Sequence, residues 1–151
     1  MTDDHELVFR ISDNPMLRSG LILAGGNASW TGKQTLKGIE DGILTALEIG
    51  QLNLSNTEIV VLSACETGLG DIHRNEGVYG LQRAFKLAGA KYIIMSLWQV
   101  PDKQTSLLMT SFYKKWLRDG KSIPTAFHDA QKDMRNKGLD PYFWAGFVLI
   151  E

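Results

Sequence analysis

An α/β fold is predicted by three observations. Residues 57–64 and 91–97 are apolar runs rich in β-branched residues, without the alternation of a strand wetted on one face. Three other stretches repeat apolar residues at helical spacing. The chain then closes on a last apolar run, FWAGFVLIE, after Pro141. The resulting order of strand, helix, strand, helix, helix, strand implies a sheet covered on both faces.

Taken in order, residues 6–11 place Leu7, Phe9 and Ile11 on one face at period two, a short strand. Ser12 to Pro15 reads as a turn. Residues 20–24 read as a second strand ending at Gly25 and Gly26, before a polar, glycine-rich loop over 25–38. Asp41 is expected to cap a helix over 41–51 that carries Ile43, Leu44, Leu47 and Ile49, with Gly50 near its end. After the 57–64 strand, Val78, Leu81, Ala84, Phe85 and Ala88 define a helix from about Glu76, with Gly89 as its stop. The 91–97 strand comes next. Asp102 then opens a helix with Leu108, Met109, Phe112, Trp116 and Leu117, stopped by Gly120. Ser122 caps another, with Pro124 in its first turn and Ile123, Phe127, Ala130 and Met134 on one face.

Composition narrows the function classes. The 151 residues suit one domain, and 44% hydrophobic with 22% charged residues is a globular balance. A net charge of −1 argues against nucleic acid and against an anionic membrane surface. No apolar stretch is long enough to span a bilayer, and the start, MTDDHELVFR, is acidic rather than signal-like. With one cysteine there is no intrachain disulfide and no cysteine-rich zinc site, so a reducing, cytoplasmic setting is expected. Neither a metal nor a cofactor is expected: no His, Asp or Glu spacing suggests a metal site, and the glycine pairs lack the lysine of a phosphate loop.

That cysteine carries most of the chemical information. Cys65 comes directly after the 57–64 strand in the block Ser63-Ala64-Cys65-Glu66-Thr67-Gly68-Leu69-Gly70, and sites in open α/β sheets collect at the carboxyl ends of strands. A lone cysteine there is either a nucleophile, given a base, or an inert core residue. His73, eight residues on, is the nearby replacement base, or else a loop histidine. Glu66, Asp71 and Glu76 would contact a basic substrate side chain, or stand as solvated acids, with Glu76 favouring its helix start. His5 and His128 read as surface residues. Trp98, Trp116 and Trp144 suit helix–sheet packing, whereas Trp30, in the polar loop, would mark a contact surface.

The Ser-Ala-Cys-Glu-Thr-Gly block, with Glu76-Gly77-Val78, Leu81, Ala84-Phe85 and Ala88-Gly89-Ala90, closely resembles the CHAT domains. Flanking blocks agree: Asn14 to Gly20 with LILAGGN, Asp41 to Ala46 with Glu48-Ile49, Ser96-Leu97-Trp98 with Val100 and Asp102, Phe112-Tyr113, and Pro141 to Leu149. These are bacterial caspase-like and separase-like cysteine peptidases often fused to tetratricopeptide repeats. The resemblance covers 14–151 as a single partial domain, with 1–13 as a non-matching leader. It implies a caspase-like three-layer αβα sandwich with a mainly parallel sheet and an antiparallel last strand. It also implies Cys65 as the nucleophile of an endopeptidase, its own amide one oxyanion donor.

The family's catalytic histidine lies upstream and is followed at once by glycine, and this chain has no His-Gly pair. The N-terminal strands, the base and half of the oxyanion hole are therefore expected to be missing, leaving the C-terminal part of the domain inactive alone. The alternative is a catalytically silent interaction or assembly module. A third reading, a small-molecule hydrolase, needs Cys65 and His73 within hydrogen-bond reach. An uncovered edge on the 57–64 strand would invite a partner: residues 6–11, a second copy, or a polypeptide carrying the missing half. The resemblance also suggests a tetratricopeptide-repeat partner and, if active, a peptide or protein substrate.

Overall fold

A computed structural model describes residues 15–17, 19–24, 26, 42–63 and 76–151. The described residues fall into two compact units. One takes those up to 57 with 76–91, the other 58–63 with 92–151. The expected strand at 6–11 and the loop bearing Trp30 lie outside the described residues.

In the first unit, strand β1 (Gly20–Ile22) pairs antiparallel with β2 (Ile43–Thr45), in the register Gly20↔Thr45 and Ile22↔Ile43. Ile43 and Leu44 are therefore strand residues, which corrects the helix expected from Asp41. Gly42, at φ +73°, holds a left-handed conformation that no right-handed helix starting at Asp41 passes through. Helix α1 (Ala46–Gly50) begins only at Thr45, whose hydroxyl accepts from the Glu48 amide while the Glu48 carboxylate accepts from the Thr45 amide at 2.8 Å. This reciprocal pair is a capping box, legible as Thr-Ala-Leu-Glu.

Helix α2 (Glu76–Ala88) packs on α1, burying Leu81, Ala84, Phe85 and Ala88 alongside Ala46 and Ile49. It stops where the sequence indicates. Gly89 sits at φ +104°, its amide donates to Lys86 O at 3.1 Å, and the Ala90 amide donates to Phe85 O at 3.1 Å. These two bonds form a Schellman motif, and the Lys86 ammonium adds bonds to Ala90 O and Lys91 O. A Cβ on Gly89 would stand 3.0 Å from Ser55 N, so the position is constrained by space as well as by angle.

The second unit contains a three-stranded sheet in the order β3 (Ile59–Leu62), β4 (Tyr92–Ser96), β5 (Phe147–Ile150). The β3–β4 ladder is parallel, with Leu62 level with Met95, and β5 runs antiparallel to β4. Ile93, Ile94, Met95 and Ser96 are all buried, so β4 is dry on both faces and its unbroken apolar run is explained. Among the described residues β3 pairs with β4 alone and stands at the end of the sheet.

One sheet face is packed by helices α3 (Asp102–Tyr113) and α4 (Ile123–Asn136). Ile94 and Phe147 meet Leu108, Phe112, Ala126, Phe127, Ala130 and Met134 in one core. Phe112 anchors it edge-on to Phe127, with ring centroids 6.2 Å apart. α4 starts as expected, the Ser122 hydroxyl accepting from the Thr125 amide with Pro124 in the first turn. α3 does not run unbroken to Leu117. From Lys114 to Arg118 the turns widen to π-helical pitch, and the Asp119 amide reaches back five residues to Lys114 O. The wider turn rotates Leu117 out of the apolar stripe, and it is 67% exposed.

The last strand is shorter than FWAGFVLIE. Its first residues belong to a helical turn, α5 (Pro141–Trp144), because Asp140 accepts from the Tyr142 amide at 2.8 Å and Pro141 suits a first helical position. The element order is thus an α/β one, as the sequence predicts.

Gly89→Ala is expected to lower unfolding free energy by about 1–2 kcal/mol, through the left-handed backbone cost, with the urea m-value unchanged. Chemical denaturation of the two proteins side by side measures this.

Candidate functional site

The expected nucleophile lies three residues past β3, and Cys65, Glu66, Asp71 and His73 lie outside the described residues. Glu76 is placed as the first residue of α2. The described residues show the sheet end toward which β3 runs. Parallel β3 and β4 finish together, Leu62 level with Met95, so Ser63 and Leu97 emerge at the same carboxyl edge.

A rigid aromatic clamp closes that edge of β4. Trp98 Nε1 donates to Tyr142 O at 2.9 Å, Tyr142 Oη donates to Gln99 O at 2.7 Å, and the rings stack at 5.9 Å. The Leu97 amide donates to Gly146 O at 2.7 Å. Position 146 has no room for a side chain, since a Cβ there would sit 2.8 Å from the Trp98 ring. Leu97 and Tyr142 nonetheless keep about half their surface exposed, at 50% and 49%. Trp98 was expected in helix–sheet packing. It lies instead in this half-exposed clamp, because it falls beyond the last residue of β4. Trp116 and Trp144 do pack against the core, half-buried. Sequence reading missed Tyr142, which is brought to Trp98 from 44 residues away.

His128 is exposed on α4, as expected of a surface residue. The acids of α4 are engaged. Asp129 meets Lys121 at 2.7 Å, and Asp133 meets Lys115 at 2.8 Å and the Ser111 hydroxyl at 3.1 Å. The Lys121 hydrogen bond holds the Asp129 carboxyl below its ordinary range, and the Lys115 hydrogen bond, then that of Ser111, does the same for Asp133. Reciprocally, Lys121 is raised, first by its hydrogen bond to Asp129. Among the described residues no group of three or more His, Cys, Asp or Glu is placed to hold a metal ion. No described helix is long and apolar enough to cross a membrane.

With the fold and this strand end described, comparison with known proteins defines the class. The family model for the CHAT domain matches residues 6–151. The chain belongs to the CHAT domain family. Its relatives include mouse tetratricopeptide repeat protein 28, 33% identical over 110 residues, and the human protein of that name, 32% identical over 114 residues. These matches take in 72% and 74% of this chain but 4% of each relative. Both relatives are mammalian, so the likeness extends beyond the bacterial proteins expected from the sequence motifs.

The clamp and the ion pairs lead to two expected outcomes. Tyr142→Phe removes the bond to Gln99 O and is expected to cost about 0.5–1.5 kcal/mol, read as a lowered denaturation midpoint. Carboxyl-carbon NMR titration should give Asp129 and Asp133 midpoints below those of unpaired aspartates. Because both folded pKa values are depressed, their stabilisation is present above the unfolded value and is lost as pH falls through the folded one. Asp133→Asn should flatten that acid limb.

Proposed function

We propose that the chain is the nucleophile-bearing part of a CHAT-type cysteine endopeptidase. The observation that carries this reading is the Ser-Ala-Cys-Glu-Thr-Gly block directly after a parallel core strand, with Cys65 three residues past its end, in a chain of this family. In the reaction, the Cys65 thiolate attacks a peptide carbonyl, and backbone amides, including its own, stabilise the oxyanion. The resulting tetrahedral adduct expels the amine, which takes a proton from the histidine, and water then releases the acyl group. Since the chain holds no His-Gly pair, that histidine belongs to another polypeptide segment. On this reading the chain on its own is inactive toward peptides unless His73 serves as the base.

Among the described residues β3 pairs on one side alone, which supports the same reading, because a strand leading to the nucleophile is where a complementary half of a sheet would pair. Glu66, Asp71 and Glu76 are read as acids that would meet a basic substrate side chain, and His73 as the substitute base if one acts within the chain. The names of the mammalian relatives support a tetratricopeptide-repeat neighbour as the context in which the site is completed. The missing His-Gly pair also favours a second reading, a silent assembly module that keeps the fold without the chemistry.

The rate of Cys65 alkylation by iodoacetamide as a function of pH separates the two, and a single cysteine makes the signal unambiguous. A midpoint below the free-thiol value of about 8.5 is expected, because the backbone amides proposed to hold the oxyanion would also favour the thiolate, with no labelling of Cys65→Ser. An ordinary midpoint, or labelling only in denaturant, would assign the chain to the silent module.

A further inference from the structure

Helix α4 sorts its charges by face. Asp129 and Asp133 turn toward Lys121 and Lys115 and are neutralised there. His128, Lys132 and Arg135 recur at helical spacing on a different face, and Lys132 and Arg135 have no ion-pair partner among the described residues. Opposite them stands Trp144 of α5, which with His128, Gln131, Lys132, Arg135 and Asn136 lines a groove of about 350 Å³. The groove's wall is fixed in place. Gln131 Nε2 donates to Trp144 O at 2.9 Å and to Phe147 O at 3.0 Å, tying α4 to the turn beneath it. The Trp144 ring is held in turn by its own bond to Leu139 O at 3.1 Å. Asp140, the acid nearest in sequence to that turn, accepts from the Tyr142 amide.

We propose that this groove docks an extended acidic segment of a partner protein. Lys132, whose charge also helps to hold the Asp129 carboxyl low, and Arg135 close no ion pair among the described residues and stand beside a fixed aromatic ring; they attract carboxylates, while the ring accepts the apolar stem or backbone between them. The polar face from His128 to Arg135 runs for about 10 Å, seven steps at the helical rise, with its two cations at one end. That length matches three residues of extended peptide, whose alternate side chains point the same way. It is too short to track a nucleic acid backbone, and a net charge of −1 supplies no wider basic field for one. The groove needs neither Cys65 nor a completed sheet, so the inference stands apart from the proposed peptidase reading.

The test is fluorescence anisotropy of a labelled peptide of alternating Asp and Glu, with an alternating Lys and Ser peptide and a single-stranded thymidine oligonucleotide as comparison probes. The acidic peptide is expected to bind and the other two not. Binding should weaken several-fold as salt rises from about 50 to 300 mM. The double variant Lys132→Glu, Arg135→Glu should lower affinity by about tenfold or more. The milder Lys132→Gln, Arg135→Gln should fall between, giving a second reading should the charge reversal perturb folding. Lys103→Glu with Lys114→Glu, exposed positions on and just after α3, makes the same change in net charge and should leave binding within about twofold. The proposal is overturned by no binding at about 1 mM protein, by tighter binding of the oligonucleotide, or by an equal loss in the Lys103 and Lys114 control.

Discussion

Strand β4 is the constraint from which the second unit is built. Four consecutive residues, Ile93 to Ser96, are withdrawn from water, and a strand buried on both faces can satisfy its amides and carbonyls only through neighbouring strands. β3 and β5 supply those bonds from opposite sides, one parallel and one antiparallel. The parallel pairing brings the ends of β3 and β4 to one edge, from which Ser63 leads on one side and Leu97 and Trp98 on the other.

The segment after β4 is held unusually firmly for a surface stretch. Two reciprocal side-chain bonds to main-chain carbonyls and a ring stack tie Trp98 to Tyr142, and a glycine at 146 leaves the space the indole needs. Apolar surface remains exposed here although the segment is fixed.

Much of the architecture was legible because local and tertiary preferences agree. The Glu76–Ala88 helix has one apolar stripe and a glycine where the Schellman geometry needs a left-handed residue, and its ends fall where the pattern puts them. The misreadings have local causes. Ile43 and Leu44 carry helical spacing, but Gly42 interrupts the backbone just before them, and the true start lies at the Thr45–Glu48 capping box. Leu117 fits the stripe of α3 only at regular pitch, and the widened turn from Lys114 displaces it. Asp140-Pro141 was a helix-start signature just before what read as strand, and its turn takes in Phe143 and Trp144. The basic groove was half legible: the spacing of His128, Lys132 and Arg135 is in the sequence, whereas Trp144 reaches it only through the chain's turn into β5.

By itself the sequence determined the α/β class, the Gly89 stop and the Ser122 cap of two helices, the single thiol after a core strand, and the absence of a His-Gly pair. Each is a property of neighbouring residues or of composition, so each is written locally. The tertiary structure decided which residues separated by dozens of positions meet: Trp98 with Tyr142, Gln131 with the carbonyls of Trp144 and Phe147, and β3 with β4 alone among the described strands. Those pairings depend on how strands align and how turns redirect the chain, and periodicity within a segment holds no record of either.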